Sequence, residues 1–502
     1  MCGPEGQGVY NCPAMADNAH ANRPDPRDPL DLAADAPLLA AYLAALDRRA
    51  AGEHSFTTPG HKGSRILTGV VVEGDFPMAG GLDTVKYQHG WLEQAEQRAA
   101  AAFGADVCRF SVAGSTHGNQ ALALAIGRPG DEVIVSRTLH RSLLLGLVLA
   151  GLKPIWVQPE VDDVTGLPTG VTPARVARKL AQHPKVRAVL LVEPTYVGTF
   201  SDLGEHARVA HAAGVPLIVD AAWAAHFGFH PDLPPHAIGA GADAMVTSAH
   251  KTLPSYTQAA LVLARTERID AARFERAFEA THTTSPAGSI LASIDAARAL
   301  MEQHGERLIA RMLEMVATAR RRLSEVEGLN VLQGPGVDPA KLAVAIAGTG
   351  AHGVEVEADL INAGIPVEMA DRDTIVALVT VADVEADVER FTEQLIRSIE
   401  ARRGPARTLA TAAAWVVEPQ LIVPPREAFF GTSERVPIAE AIGRVSAELV
   451  APYPPGVPVL APGELVTPEA VAALTEALAD GVRIAYAVDP DLTTLEVLLR
   501  ND

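Results

Sequence analysis

Between about residues 100 and 265 the chain alternates short β-rich apolar runs with stretches whose apolar positions recur at helical spacing. The clearest runs are DEVIVS (131–136), KPIWVQP (153–159), RAVLLVEP (187–194), VPLIVDA (215–221) and AMVTSA (244–249). Several are apolar throughout, as strands buried on both faces of a parallel sheet are. Strand–helix alternation of this kind predicts a doubly wound α/β unit. Upstream, DPLDLAADAPLLAAYLAALDRRAAG (28–52) predicts a helix that ends in basic residues and Gly52, a packing or dimer-contact element. The first 30 residues, rich in Pro, Asp and Asn, are expected to be poorly ordered. Downstream, a long helix over 292–328 bridges to LAVAIAG, GVEVEADLINAG and TIVALVTVAD, which predict a small αβ domain. Past ARRGPART the composition turns toward proline, and we expect a further domain there. The chain thus divides into an N-terminal extension and helix (1–54), a major domain (55–325), a small αβ domain (326–400) and a C-terminal domain (401–502).

Composition narrows the classes of function. At 502 residues the chain is too long for one core. Its 48% hydrophobic and 21% charged residues are the balance of an ordinary globular protein. The longest apolar run, LLLGLVLAGL (143–152), is about half a bilayer span. The amino terminus has neither the basic start nor the apolar core of a secretory signal. Cys2, Cys12 and Cys108 form neither a disulfide framework nor a zinc pattern, so a cytosolic protein is expected. A net charge of −19 with no basic stripe argues against nucleic acid and weakly favours a cationic ligand. The histidines of EHARVAH (205–211) would stand about 140° apart around a helix, and those of HFGFH (226–230) enclose no acidic residue, so no metal site is expected.

In an open parallel sheet, ligands bind beyond the carboxyl ends of the strands. Four groups fall at or just after such ends. Gly114, Ser115 and Thr116, ahead of a helix-forming run, read either as a phosphate cradle or as an ordinary helix cap. Asp220 closes the apolar PLIVD, where a carboxylate is costly without a positive partner; a helix cap is its bland alternative. His140 follows DEVIVS, and Lys251 follows His250 within VTSAHKTLPSYTQAA (246–260). Singly each is weak. Together they are the set that pyridoxal 5'-phosphate requires: a lysine for its aldehyde, a carboxylate for its ring nitrogen, a ring to cover its face and a helix end for its phosphate.

The chain resembles the bacterial-type Orn/Lys/Arg decarboxylases from about residue 55 to 475. The resemblance rests on TTPGHKG (57–63), GSTHGNQA (114–121), EPTYVGTFSDL (193–203), DAAWAAHFGFHPDLPP (220–235), SAHKTLPSYTQAA (248–260), TTSPAGSILASIDAAR (283–298) and PYPPGVPVLAPGE (452–464). It implies an aminotransferase-like fold of type I with a mostly parallel central sheet, a small αβ domain and a proline-rich C-terminal domain. It also implies decarboxylation of arginine, lysine or ornithine by a homodimer or higher homo-oligomer, with no nucleic acid or membrane partner. At the matching positions Lys251 would carry the cofactor aldehyde and Asp220 would pair with the pyridine nitrogen. His140 would stack on the ring, and Ser115, Thr116, Ser248 and His250 would surround the phosphate. His250 or Lys251 would reprotonate the carbon, Trp223 would wall the substrate pocket, and Glu464 is a candidate for the substrate's distal cation. Thr283 and Ser285 would reach the partner subunit's phosphate, or else simply start the following helix. The chain departs from many relatives in reading DAAWA for Asp-Glu-Ala-His-Gly, and RTLHRS where Asn-x-His-Lys-Ser is usual. Ala287 and Gly288 stand where an aromatic often follows TTSP. Transamination, elimination or oxidative chemistry on a related amino acid is the competing expectation, and a non-catalytic regulatory binder the third.

Overall fold

Seven short strands form the central sheet: β1 (Val107–Ser111), β2 (Glu132–Ser136), β3 (Lys153–Val157), β4 (Val189–Val192), β5 (Leu217–Asp220), β6 (Ala244–Thr247) and β7 (Ala260–Ala264). The computed structural model describes residues 32–51, 74–75, 78, 90–408, 417–418, 420–453, 456–479 and 481–499. The N-terminal 30 residues and the TTPGHKG block lie outside the described residues.

The apolar runs are strands because both faces of the sheet are covered. Ile134, Val189 and Leu191 pack into one core, while Val133, Val135, Leu190 and Val192 pack into the other. The spatial order is β1-β7-β6-β5-β4-β2-β3. Strands β2 to β6 pair in parallel, whereas β7 runs antiparallel to both β6 and β1. Two reversals restore direction, so β1 points the same way as the parallel strands. The carboxyl ends of β1, β2, β5 and β6 therefore open onto one edge of the sheet.

Helix α2 (Gly114–Ile126) returns from β1 across this sheet. Its Gly118 has no room for a side chain: a Cβ there would stand 2.4 Å from Val246 Cγ2 and 2.8 Å from Val262 Cγ2. The helix thus rests directly on β6 and β7, which fixes its first turn near the sheet edge. Helix α3 (Arg141–Ala150) follows β2, and the four-residue α4 (Ala249–Thr252) follows β6.

After α5 (Ala271–Thr281), the 37-residue α6 (Gly288–Ser324) runs about 55 Å. Leu291 and Ile294 near its start belong to the main core, and Ile309, Met312, Val316 and Leu323 to a second one. That second core is roofed by an antiparallel sheet of β8 (Asn330–Val331), β9 (Lys341–Ala345), β10 (Met369–Ala370) and β11 (Thr374–Leu378), in the order β8-β9-β11-β10. Helices α7 (Gly353–Asn362) and α8 (Glu385–Ala401) complete it. The helix expected over 292–328 is present, shifted four residues toward the amino terminus.

The leading helix α1 (Pro37–Ala50) lies along α6, where Leu38 N donates to Asp295 Oδ2 at 2.9 Å. Residues after 420 form short antiparallel pairs around a small core that includes Val450, Val459, Leu474 and Leu495. Among the described residues no helix is long and apolar enough to cross a membrane.

Candidate active site

The first turn of α2 has no side-chain cap. Its N-cap, Ala113, offers no side-chain acceptor to the first helical amides. Gly114 takes φ +68°, a left-handed conformation that favours glycine, and a Cβ there would meet nothing within 4 Å. Gly114 N donates to Gln258 O at 2.8 Å, and the hydroxyls of Ser115 and Ser248 are 2.7 Å apart. These two contacts join the helix start to the lysine-bearing segment across more than 130 residues. Thr116 is exposed on the same turn, and Ser248 is buried at the start of α4. His250 donates from Nδ1 to Ala259 O at 2.8 Å, which fixes its ring against β7's lead-in.

Asp220, at the carboxyl end of β5, is buried but not unsatisfied. Ala222 N donates to Oδ1 at 3.2 Å and Asn119 Nδ2 donates to Oδ2 at 2.7 Å. The second Asn119 amide hydrogen goes to Ser142 Oγ at 2.9 Å, and Ser142 Oγ lies 2.8 Å from His140 Nδ1. His140 caps α3 by accepting Ser142 N at Nδ1, so its neutral ring carries the proton at Nε2. Burial lowers the His140 pKa, with Asp220 opposing and Lys251 and Arg141 reinforcing the shift. The result is a flat, uncharged ring held beside a buried carboxylate. Asn119 and Ser142 were not anticipated as site residues, although Asn119 stands one turn after Ser115 and so shares its helix face.

Lys251 is the amine at this edge. Burial lowers its pKa, against the pull of Asp220 and Glu368. Its Nζ lies 3.9 Å from the centroid of the Trp223 ring, which Tyr196 meets edge-on at 5.8 Å. Trp223 is buried. A second amine, Lys341 Nζ from β9, lies 3.7 Å from the same ring centroid. Sequence reasoning passed over this lysine, although a lysine opening the apolar run KLAVAIAG was a signal.

Glu464 requires a correction. Its oxygens lie 2.6 and 2.9 Å from the two terminal nitrogens of Arg137, and Ala461 N donates to Oε2 at 2.8 Å. Both side chains are 1% exposed. Arg137 also donates to Pro458 O and Val459 O and stacks over Trp156 at 4.6 Å. Both oxygens of this buried carboxylate are already engaged by Arg137, so it fastens the C-terminal region to the end of β2 instead of standing free for a substrate cation. We expect Glu464→Gln to lower the thermal midpoint, because it leaves a buried guanidinium without its counter-charge, at about 3–5 kcal/mol. A raised KM at unchanged thermal stability would instead return Glu464 to the substrate. Arg141, where relatives carry lysine, lies over the Tyr486 ring at 4.6 Å and makes a second link to that region.

Thr283 and Ser285 stand exposed between α5 and α6, with Ser285 N donating to Thr283 Oγ1 at 3.1 Å. They are not drawn into the cluster around Lys251 within their own chain.

Comparison with known proteins agrees with this geometry. Residues 37–362 match the Orn/Lys/Arg decarboxylase major domain, and residues 409–480 match the Orn/Lys/Arg decarboxylase C-terminal domain. An arginine decarboxylase of Bacillus subtilis is 33% identical over 427 residues, covering 83% of this chain and 87% of its own. A lysine decarboxylase of Pseudomonas aeruginosa is 26% identical over 565 residues, covering 85% and 74% respectively. The solved structure of lysine decarboxylase A from Pseudomonas aeruginosa superposes with a TM-score of 0.77 at 22% identity, over 93% of this chain and 81% of that one, a likeness of fold. Two matched domains in the family's own order, and a relative of this identity along most of both chains, mean that the chain belongs to the Orn/Lys/Arg decarboxylase family and is an amino-acid decarboxylase.

Proposed function

We propose that this protein converts a basic amino acid, with arginine the first candidate, to the corresponding amine and carbon dioxide, using pyridoxal 5'-phosphate. The single observation that carries the reading is the convergence of a desolvated lysine, a hydrogen-bonded buried carboxylate and an open helix start at one sheet edge. When bound, the cofactor supplies an aldehyde for the amino group and a protonated ring that takes up the electron pair left by departing carbon dioxide.

The chain's own residues do the rest. The amides of α2's first turn, with Ser115, Thr116, Ser248 and His250, hold the phosphate. Asp220 holds a proton at the ring nitrogen, and Asn119 and Ala222 N keep its carboxylate aimed. His140, neutral at Nδ1, covers one face of the ring without adding charge. Lys251 would hold the cofactor at its aldehyde and would return a proton to the carbon that loses carbon dioxide, a role His250 could share. Trp223 excludes water from this side. Thr283 and Ser285, exposed in their own chain, would serve the partner's phosphate in a homodimer or higher homo-oligomer. The proposed working place is the cytosol. Of the two relatives named above, the more similar in sequence is an arginine decarboxylase, which favours arginine over lysine and ornithine.

The test is incubation of the purified, cofactor-loaded protein with each of the three amino acids, with products followed by mass. Agmatine and carbon dioxide from arginine are expected, in preference to the diamines from lysine and ornithine. A keto acid product would overturn decarboxylation, and inertness toward all three would overturn the substrate class.

A further inference from the structure

Lys341 is a buried amine that faces the Trp223 ring and has no hydrogen-bond partner among the described residues. It is 3% exposed. Burial lowers its pKa to about 8, with Asp338 and Glu368 opposing and Lys251 reinforcing the shift. The hydroxyl of Thr252, next to Lys251, is likewise buried and unpartnered. Both groups line one small cavity between the two sheets, together with Trp223, His226 and Asp338. Asp338 makes no hydrogen bond to Lys341 Nζ; its Oδ1 accepts Ala340 N at 2.9 Å and lies 3.4 Å from His226 Nε2.

The scaffold holds this ammonium deliberately close. Arg320 Nη2 donates to Asp338 O at 3.0 Å and to Lys341 O at 2.6 Å, which fixes the turn into β9. Gly198, at φ +90°, leaves the path for the lysine stem: a Cβ there would stand 2.7 Å from Lys341 Cβ. The amine reaches the same tryptophan ring as Lys251 Nζ. Centroid distances of 3.9 and 3.7 Å place the two nitrogens no further apart than their sum of 7.6 Å.

A buried ammonium with no hydrogen-bonded counter-ion carries a desolvation cost, which an arriving anion would relieve. A basic amino acid carries one anionic group, its α-carboxylate. That carboxylate's oxygens lie about 3 Å from the α-nitrogen, and a charge-assisted contact adds about 2.8 Å. The sum, about 5.8 Å, is smaller than that upper bound on the two nitrogens' separation, with the α-nitrogen in the place of Lys251 Nζ. We propose that Lys341 receives the substrate's α-carboxylate, with the Thr252 hydroxyl as second donor, and so turns the bond that is to break. This inference rests on the basic-amino-acid reading above and adds the residue that holds the departing group.

The experiment uses ligands that differ only in the carboxylate. In a Lys251→Ala chain, which cannot turn over, L-arginine and agmatine are titrated by calorimetry in the presence of the cofactor. Adding Lys341→Met should weaken arginine binding roughly 10- to 100-fold, the range for one charge-assisted hydrogen bond. Agmatine binding should change by less than about threefold, and Lys341→Arg should recover part of the arginine affinity. In the otherwise native chain, Lys341→Met should leave the ligand-free thermal midpoint unchanged or raised, because it removes a buried charge. Equal weakening of both ligands, or of neither, overturns the assignment while leaving the substrate class standing. Failure of the Lys341-containing parent to bind either ligand overturns the substrate class, and the assignment with it.

Discussion

Lys251→Ala is expected to yield a folded protein with no measurable turnover and no covalently fixed cofactor. The loss should be at least roughly 10⁴-fold, the scale on which removal of a covalent catalyst acts. Folding should survive, because the side chain lies in a setting that already penalises its charge. The structure supplies a rival that makes the test specific. Lys341 is a second desolvated amine beside the same tryptophan, close enough to compete for an aldehyde. What separates the two is their company. Lys251 is in the electrostatic reach of Asp220 and sits three residues after Ser248, whose hydroxyl meets that of Ser115 at the start of α2, whereas Lys341 enters from the other sheet beside Asp338. Borohydride reduction of the loaded protein, followed by peptide mass mapping, should therefore place the cofactor on the peptide holding Lys251 in the native chain and on none in the variant. Cofactor fixed at Lys341 in the native chain would exchange the roles of the two lysines and sink the assignment.

Local pattern made the parallel strands and the placing of the four strand-end groups legible, because each apolar run is buried on both faces and each candidate group stands where such a run stops. What it hid depends on pairing across the chain. VCRFS became β1 although Arg109 interrupts its apolar run; that guanidinium leaves the sheet to meet Glu96 and Glu275. ALVLA became β7, but it follows the lysine loop so closely that its role appears only in register with Val107–Ser111. Asn119 looked like a polar residue on a helix because its partner, Asp220, lies 101 residues away. Glu464 invited a substrate role because a carboxylate in an apolar, proline-rich block needs a cation, and the chain supplies Arg137 from 327 residues earlier. The same physical rule raised the right question in both cases. Only the folded arrangement could answer it.

Asp220→Asn is expected to keep the fold and bind cofactor, yet lose roughly 10²-fold or more in turnover, several kcal/mol of transition-state stabilisation. The expectation follows from counting donors. Asp220 Oδ1 accepts Ala222 N and Oδ2 accepts Asn119 Nδ2, so both carboxylate oxygens are oriented by the protein before any ligand arrives. An asparagine has one oxygen for these two donors. If it keeps Asn119 through that oxygen, its own amide nitrogen faces Ala222 N, donor against donor; if it flips, it faces Asn119 in the same way. In either orientation it is neutral and cannot hold a proton on the ring nitrogen, so the ring withdraws electrons poorly. Asn119→Leu provides the graded companion. It leaves the carboxylate charged but removes one of its two orienting bonds and the link through Ser142 to His140, so a smaller loss, roughly tenfold, is expected. An Asp220→Asn enzyme that works within a few-fold of the native rate would remove the carboxylate from the chemistry and leave it a structural partner of Asn119.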